Sequence, residues 1–368
     1  METESKNSLL LSVLINLIVC LLISTSIPSL LVEPLMRNQS LTTGSRYTIT
    51  VDALNSISDD GIDSVIAIGS SMTLKSLDGR CVGDNLGAGT NVYNLAHSAS
   101  KPYTDMQHIP RIISSNPEII MMEISPDILT SPSTLSSLEY IELRYKIDSI
   151  YQDNSDLGDW LELVPEEYQK WIAKNEFERL QFRQEYFPSA IDQYLKRILL
   201  NETIGIENGN FGWVPMQNDD EWIEYLQTPI FPNDKFGIEG FDDEKMKEYN
   251  ESKLHVKPWP KPNSNGTLSH DALEYEINSL LNAEIEIIIL TPPYHPEHLE
   301  YLEMNQWDGL NQTIERYSQL PGITVFDQTW DTNWDSDDFY DRNHLDDDGR
   351  LKYCNRITPI IEQILDRT

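Results

Sequence analysis

Five short, apolar and β-branched segments, separated by stretches of helical length, constrain the fold of this chain most strongly. They are Ser64–Ile68, Asn91–Ala96, Glu118–Ser125, Glu284–Leu290 and Ile323–Asp327. Strands that alternate with helices typically form a parallel sheet with helices on both faces. The nearly continuous apolar runs IIMMEI and IEIIIL favour central strands that are buried on both faces. The sequence therefore predicts an α/β domain with a doubly wound, flavodoxin-like parallel sheet, whose ligands bind beyond the carboxyl ends of the strands.

The connection between the third and fourth segments is far longer than one crossover helix requires. We assign residues 129–280 to an insertion that forms a mainly helical cap over the carboxyl edge of the sheet. Within it, Pro165–Phe187 predicts a helix, because Pro165 suits the first helical position, acidic residues follow, and Pro188 ends the pattern. The insertion also contains Trp160, Trp171, Trp213, Trp222 and Trp259. These rings either form the core of the cap or stack on sugar faces.

The N-terminus contains a long apolar segment. Leu9–Val32 has no charged side chain and exceeds the roughly 20 residues that a helix needs to cross a bilayer. A cleaved signal peptide is the alternative, but its apolar core is normally about 7–15 residues long and follows a basic region, whereas Glu2 and Glu4 precede this segment. We therefore expect residues 1–38 to form a single-pass transmembrane anchor with its flank, and residues 39–368 to form the α/β domain.

Two observations favour a position of this domain outside the cytoplasm. Asn-x-Ser/Thr sequons occur at Asn38, Asn201, Asn250, Asn265 and Asn311. Only two cysteines, Cys81 and Cys354, follow the apolar segment, and such a pair can form one disulfide in an oxidising compartment.

The charge of the chain excludes whole classes of partner. Its 368 residues contain 27 Lys and Arg against 60 Asp and Glu, which gives a formal net charge of −33. Such a surface repels phosphate backbones and acidic lipid headgroups, so we expect no nucleic-acid partner and membrane contact only through the N-terminal helix. The hydrophobic fraction of 39% suffices for a folded core.

Two short motifs contain the candidate catalytic residues. The first strand runs into Gly69-Ser70-Ser71, so Ser71 lies at a strand-to-helix turn where backbone N–H groups and the helix dipole can stabilise an oxyanion. Near the end of the chain, Asp341 precedes His344 by three residues, and one turn can direct both side chains to the same point. A carboxylate, an imidazole and a hydroxyl together form an acyl-transfer triad.

These motifs, in their order along the chain, resemble those of the SGNH/GDSL hydrolase superfamily. The resemblance covers roughly residues 62–128 and 283–365 and leaves the insertion unmatched. It implies that Ser71 is the nucleophile, with Ser70 in place of the usual Asp, and that Asp341 and His344 complete the triad. Membrane-anchored members that act on cell-surface polymers, such as the teichoic-acid D-alanylation and alginate O-acetylation proteins, are similar in overall layout.

The same resemblance implies positions for the oxyanion hole. The segment Asn94–Ser100 lies where the second sequence block of the superfamily supplies a backbone N–H, with Ala99 in place of the usual Gly. Glu123–Asp127 lies where the third block supplies an Asn side chain, and Ser125 is the neutral donor present there. We therefore name Asn94, Ala99 and Ser125 as candidate oxyanion or substrate-binding residues.

Further candidates lie near the same edge of the predicted sheet. His295 follows the fourth strand in a Pro-rich turn, where it either contacts substrate or stabilises the turn. Cys81 follows the first helix and Cys354 lies on the last, and these two helices are neighbours in a flavodoxin-like sheet, so a disulfide between them would join the two catalytic segments.

No tight His/Cys cluster or H-E-x-x-H motif is present, and Asp331–Asp337 lacks the Gly and Glu of a calcium loop. We therefore expect no metal and no cofactor.

These features predict a serine-dependent esterase or O-acyltransferase that acts on acyl esters of extracellular or cell-surface glycans, or on small esters, through an acyl-enzyme on Ser71. A membrane protein that donates the acyl group is a further expected partner. The alternative is a catalytically inactive SGNH-fold surface protein that binds a glycan or a partner through the insertion.

Overall fold

A computed structural model of the chain describes residues 63–87, 89–96, 100–129, 243–254, 268–301 and 307–366, together with residues 11–20 and isolated positions in 24–57 and 187–195. The strands are β1 (Asp63–Ile68), β2 (Thr90–Asn94), β3 (Ile119–Glu123), β4 (Glu286–Thr291) and β5 (Ile323–Asp327). They form one sheet in the order β2-β1-β3-β4-β5, and every pairing is parallel. The predicted α/β architecture is therefore confirmed, and this strand order is that of flavodoxin-like sheets.

Helices connect the strands. They are α1 (Ser71–Ser76), α2 (Gly79–Leu86), α3 (Pro102–Asp105), α4 (Ile109–Ser115), α5 (Pro126–Leu129), α6 (Asp243–Leu254), α7 (Leu268–Asn282), α8 (Pro296–Tyr301), α9 (Asp308–Ser318) and α10 (Asp347–Leu365). Two 3₁₀ turns, Met106–His108 and Ser336–Asp338, supplement them.

The core lies in two layers, one on each face of the sheet. Successive residues of a strand point to opposite faces, so Ile66 and Val65 belong to different layers. Ile66 and Ile120 pack with apolar residues of α4, α7 and α9. Val65 and Met121 pack with α2 and α10. All five residues of β3 are buried, which explains why its sequence is almost continuously apolar.

Some element boundaries differ from the sequence-based expectation. Strand β3 ends at Glu123 rather than Ser125, because Pro126 begins the short helix α5. Helix α7 begins within the range assigned to the insertion, yet its apolar residues, such as Leu273 and Ile277, belong to the core on one face of the sheet. It therefore serves as the helix that leads into β4. The predicted helix Pro165–Phe187 and the tryptophans of the insertion lie outside the described ranges, apart from the helical position 187.

The predicted transmembrane segment Leu9–Val32 is described only in part. Residues 11–20 are helical, and their apolar side chains, including Leu11 and Leu17, are exposed. Among the helices that the structure describes, none is both long enough and apolar enough to cross a bilayer.

Candidate active site

Ser71 is the first residue of α1, directly beyond the carboxyl end of β1. The strand ends at Ile68, Gly69 makes the turn with a φ of +151°, and the Ser70 hydroxyl caps the helix by accepting a hydrogen bond from the Met72 N–H. A Cβ atom on Gly69 would lie 2.6 Å from the Cβ of Glu123. The turn therefore requires glycine both for its backbone conformation and for its close approach to β3.

The Asp341–His344 loop reaches Ser71 from the other end of the chain. The His344 Nε2 atom lies 2.9 Å from the Ser71 Oγ atom. The His344 Nδ1 atom lies 2.9 Å and 2.8 Å from the two carboxylate oxygens of Asp341. Since Nδ1 faces a carboxylate, it carries the proton, which leaves Nε2 as the acceptor for the Ser71 hydroxyl. The three side chains thus form one continuous hydrogen-bonded chain.

The local fold holds Asp341 in its ionised form. Its Oδ1 atom accepts hydrogen bonds from the backbone N–H groups of Asn343 (3.1 Å) and His344 (3.0 Å). Burial by itself would raise the pKa of Asp341, but the hydrogen bond and charge of His344, with these backbone donors, lower it to about 2. An ionised Asp341 keeps the Nδ1–H tautomer of His344 in place near neutral pH.

Neighbouring groups fasten this loop to the sheet. The backbone N–H of His295 donates to the carbonyl of Arg342 at 2.9 Å, and the Asn343 side-chain amide lies 3.1 Å from the Met72 sulfur. The His295 ring is fully buried, packs on Phe339, and accepts the Glu297 N–H at its Nδ1 atom. These contacts join His295 to its own turn and to the Asp341–His344 loop.

Asn94, a candidate for the oxyanion hole, has a different environment. Its side chain is fully buried, and its amide group donates to the carbonyls of Thr73, Leu74 and Leu77 at the end of α1. Its side-chain oxygen accepts the N–H of Ala96. These contacts make Asn94 a cap for the C-terminal end of α1 and occupy the polar atoms that a substrate would need.

Glu123, which is not among the residues predicted for the site, contacts the Ser71 turn from β3. It ends β3, is only 4% exposed, and accepts hydrogen bonds from both the N–H and the hydroxyl of Ser70 (2.8 Å each) and of Thr73 (3.2 Å and 2.8 Å). The Ser125 hydroxyl also donates to it, at 3.0 Å. One signal was available: a lone acidic residue inside an apolar strand must be buried with hydrogen-bond donors around it.

These contacts decide which groups can stabilise an oxyanion. The Ser125 hydroxyl is directed to Glu123, and Ala99 lies outside the described ranges. The backbone N–H groups of Ser70 and Thr73 are occupied by Glu123, and that of Met72 by the Ser70 hydroxyl. Over residues 70–73, the N–H of Ser71 is the one that has no acceptor within the described part of the chain. It is therefore the oxyanion donor that the structure offers.

A disulfide joins the two halves of the site. Cys81 on α2 and Cys354 on α10 are bonded, with their Cα atoms 6.2 Å apart and a sequence separation of 273 residues. Helix α2 follows the Ser71 helix, and α10 follows the His344 loop. The covalent link therefore connects the helices that follow the Ser71 helix and the Asp341–His344 loop.

A small acidic pocket lies beside the Ser71 turn. Its lining includes Gly69, Glu123, Asp105 and Glu276. Asp105 accepts a hydrogen bond from the Ser100 hydroxyl. Burial, with a smaller contribution from the charge of Asp105, raises the pKa of Glu276 well above its usual range.

Acidic residues of 331–338, before the triad loop, form ion pairs with basic residues of α10. Asp331 forms an ion pair with Arg356 and accepts from the backbone N–H of Asn333, while Lys352 pairs with Asp338. Within the described ranges, no group of three or more His, Cys, Asp or Glu side chains is arranged to hold a metal ion.

The arrangement at the carboxyl edge can perform nucleophilic acyl transfer. It provides a hydroxyl next to an imidazole nitrogen, a carboxylate that orients the ring, and one backbone donor for developing negative charge. In comparisons with known proteins, the chain matches no family model and no curated protein.

Proposed function

We propose that this protein is a membrane-anchored serine esterase or O-acyltransferase of the SGNH type, which acts on acyl esters of extracellular or cell-surface glycans. The observation that carries this proposal is the continuous hydrogen-bonded chain from Ser71 through His344 to Asp341. Residues that are 273 positions apart meet in triad geometry at the edge where parallel sheets bind their ligands.

The proposed mechanism begins with general-base catalysis. His344 Nε2 accepts the proton of the Ser71 hydroxyl while the Oγ atom attacks the ester carbonyl. The Ser71 N–H donates to the oxyanion of the tetrahedral intermediate. The protonated His344 then gives its proton to the departing alcohol oxygen, the ester C–O bond breaks, and the acyl group remains on Ser71.

The second half-reaction releases the acyl group. His344, neutral again, accepts a proton from an incoming water or sugar hydroxyl, whose oxygen attacks the acyl-enzyme. Water gives hydrolysis, and a sugar hydroxyl gives transfer. Throughout both halves Asp341 stays ionised, holds the ring and stabilises the imidazolium form of His344.

Two features support a position outside the cytoplasm. The uncharged segment Leu9–Val32 is long enough to anchor the chain, and the part of it described as helix exposes apolar side chains such as Leu14. Disulfides such as Cys81–Cys354 form and persist in oxidising compartments.

A glycan substrate is supported by the charge and by an exposed ring. A net charge of −33 disfavours strongly anionic substrates and leaves neutral esters. Trp330 follows the carboxyl end of β5, is 37% exposed, and is held in place by Trp307 and by a hydrogen bond to Asn311. Such a ring offers a flat surface on which a sugar can stack.

The alternative, an inactive surface protein, is favoured by one specific observation. Ser125, the side-chain donor expected for the oxyanion hole, is directed to Glu123 instead. Loss of one oxyanion donor typically costs about 100- to 1,000-fold in rate. On this alternative, the triad geometry would persist without turnover.

Ester hydrolysis by purified full-length protein tests the proposal. We expect p-nitrophenyl acetate to be hydrolysed by the wild type, and Ser71→Ala to reduce kcat/KM by at least about 1,000-fold. Ser114→Ala is the matched control, because Ser114 is exposed and its hydroxyl contacts only the Pro110 carbonyl of its own helix. Equal activity of the wild type and Ser71→Ala would refute the proposal and favour the inactive alternative.

A further inference from the structure

Glu123 is a buried carboxylate with an unusual set of partners. Its two oxygens accept hydrogen bonds from Ser70, Thr73 and Ser125, and every donor is an N–H or a hydroxyl. Within the described ranges it forms no ion pair with Lys, Arg or His. A buried charge that is compensated only by neutral donors is costly to remove from water, so its partners must be held in definite positions.

The donors flank the nucleophile on both sides. The N–H and hydroxyl of Ser70 come directly before Ser71, and those of Thr73 come two residues after it. A single atom, Glu123 Oε2, accepts hydrogen bonds from the backbone N–H groups of both Ser70 and Thr73. The carboxylate therefore clamps the first turn of α1 to the end of β3, with Ser71 between the two attachment points.

The clamp also determines which backbone group remains for the substrate. Glu123 occupies the N–H groups of Ser70 and Thr73, and the Ser70 hydroxyl, which donates to Glu123, accepts the Met72 N–H. Among residues 70–73, the Ser71 N–H is then the group without an acceptor in the described part of the chain. If the clamp opened, the freed donors would compete for new acceptors, and Ser71 would lose its fixed orientation.

We propose that Glu123 is the positioning residue of the nucleophile turn: through its hydrogen bonds to Ser70 and Thr73 it sets the 2.9 Å contact between Ser71 and His344 and keeps the Ser71 N–H directed to the oxyanion. This inference rests on the proposed function. It assigns to a strand residue, remote in sequence from the Ser71 turn, a role in the geometry of the reaction.

Two single variants and their combination test the clamp. Glu123→Gln keeps the shape of the side chain but turns one of its two acceptor groups into a donor. Ser70→Asp places a second carboxylate within hydrogen-bond distance of Glu123, where like charges repel. In the double variant, the amide introduced at position 123 can donate to the new carboxylate, so the charge is moved across the contact rather than doubled. Glu315→Gln, on the exposed face of α9, is the matched control.

The first readout does not depend on activity. The ¹⁵N chemical shift of His344 Nε2 reports its hydrogen bond with Ser71, and Ser71→Ala gives the value for the broken contact. We expect Glu123→Gln and Ser70→Asp to shift this resonance towards the Ser71→Ala value, the double variant to return towards wild type, and Glu315→Gln to leave it unchanged. An unchanged resonance in a folded Glu123→Gln or Ser70→Asp protein would overturn the inference. Because the two single variants perturb the clamp independently, one that fails to fold leaves the other as the test.

The second readout is the rate at which a fluorophosphonate labels Ser71. Displacement of a reacting group by about 1 Å can cost roughly 100-fold, so we expect each single variant to slow labelling by at least about tenfold, with little change in probe affinity. We expect the double variant to recover most of this loss, since contacting residues couple. Wild-type labelling rates in both folded single variants would overturn the inference. A wild type that is not labelled would instead refute the proposed function, while the resonance of His344 still decides the role of Glu123.

Discussion

The disulfide between Cys81 and Cys354 leads to a quantitative prediction about stability. The cross-link encloses a segment of 273 residues, and its stabilisation comes mainly from restricting the unfolded chain. The chain-entropy expression gives about 5 to 6 kcal/mol for a loop of this length, and measured losses are usually about 2–5 kcal/mol. We therefore expect removal of the bond to lower the free energy of unfolding by about 3–5 kcal/mol.

Urea unfolding of the oxidised and the reduced protein measures this loss without changing any side chain. The entropic origin predicts a second effect: the unfolded chain expands once the link is cut, so the m-value should rise as the midpoint falls. The variant Cys81→Ser/Cys354→Ala should reproduce both effects. Cys20→Ser is the control, because Cys20 is an exposed free cysteine.

A reduced protein whose free energy of unfolding lies within about 1 kcal/mol of the oxidised one would contradict this prediction, since that difference is far below the loop-closure value. An unchanged m-value would contradict only the explanation that the bond acts by restricting the unfolded chain. We expect the native reduced protein to keep its triad, because the contacts of His295 with Arg342 and of Asn343 with Met72 hold the catalytic loop independently of the bond.

Three further predictions concern the site and its surroundings. Asp341→Asn should lower kcat by about 1,000- to 10,000-fold with little change in KM, measured by ester hydrolysis, because the amide favours the wrong tautomer of His344; a loss below tenfold would contradict the role of Asp341. Burial, and to a lesser degree the charges of Arg342 and His295, lower the pKa of His298 from 6.5 to about 3. The unfolded state therefore takes up the proton first, and the free energy of unfolding should fall by up to about 1.4 kcal/mol per pH unit as the pH drops from about 6.5 towards 3, which lower denaturant midpoints would show. His298→Gln should flatten this dependence, and an unchanged slope would show that other groups cause it. Gly69→Ala should destabilise the domain by at least about 1–3 kcal/mol and slow labelling of Ser71, because of its φ of +151° and the clash with Glu123; wild-type behaviour in thermal unfolding and labelling would contradict the need for glycine there.

The sequence was sufficient for the sheet because the relevant signals are local. Strands β3 and β4 are buried on both faces, so their apolar runs stand out, and the helical stretches between strands imply parallel pairing. The pairing of Asp341 with His344 was also predictable, since one short turn presents both side chains. Ser71 was recognisable from its place at the end of a strand.

The parts that the sequence did not predict depend on contacts between distant segments. Glu123 contacts Ser70 and Thr73 across separations of 53 and 50 residues, and nothing in the segment MMEIS identifies those partners. Asn94 caps carbonyls at the end of α1, so its amide is used inside the fold rather than in an oxyanion hole. In both cases the requirement that buried polar groups be satisfied decided the role.

Mapping of a covalent adduct would show whether Ser71 is an activated nucleophile. Full-length protein would be incubated with a fluorophosphonate, measured by intact mass spectrometry and mapped by peptide analysis. We expect one adduct per chain at Ser71, none in Ser71→Ala, and much slower formation in His344→Gln. Absence of an adduct from the folded wild type, or an adduct at another serine that persists in Ser71→Ala, would contradict it.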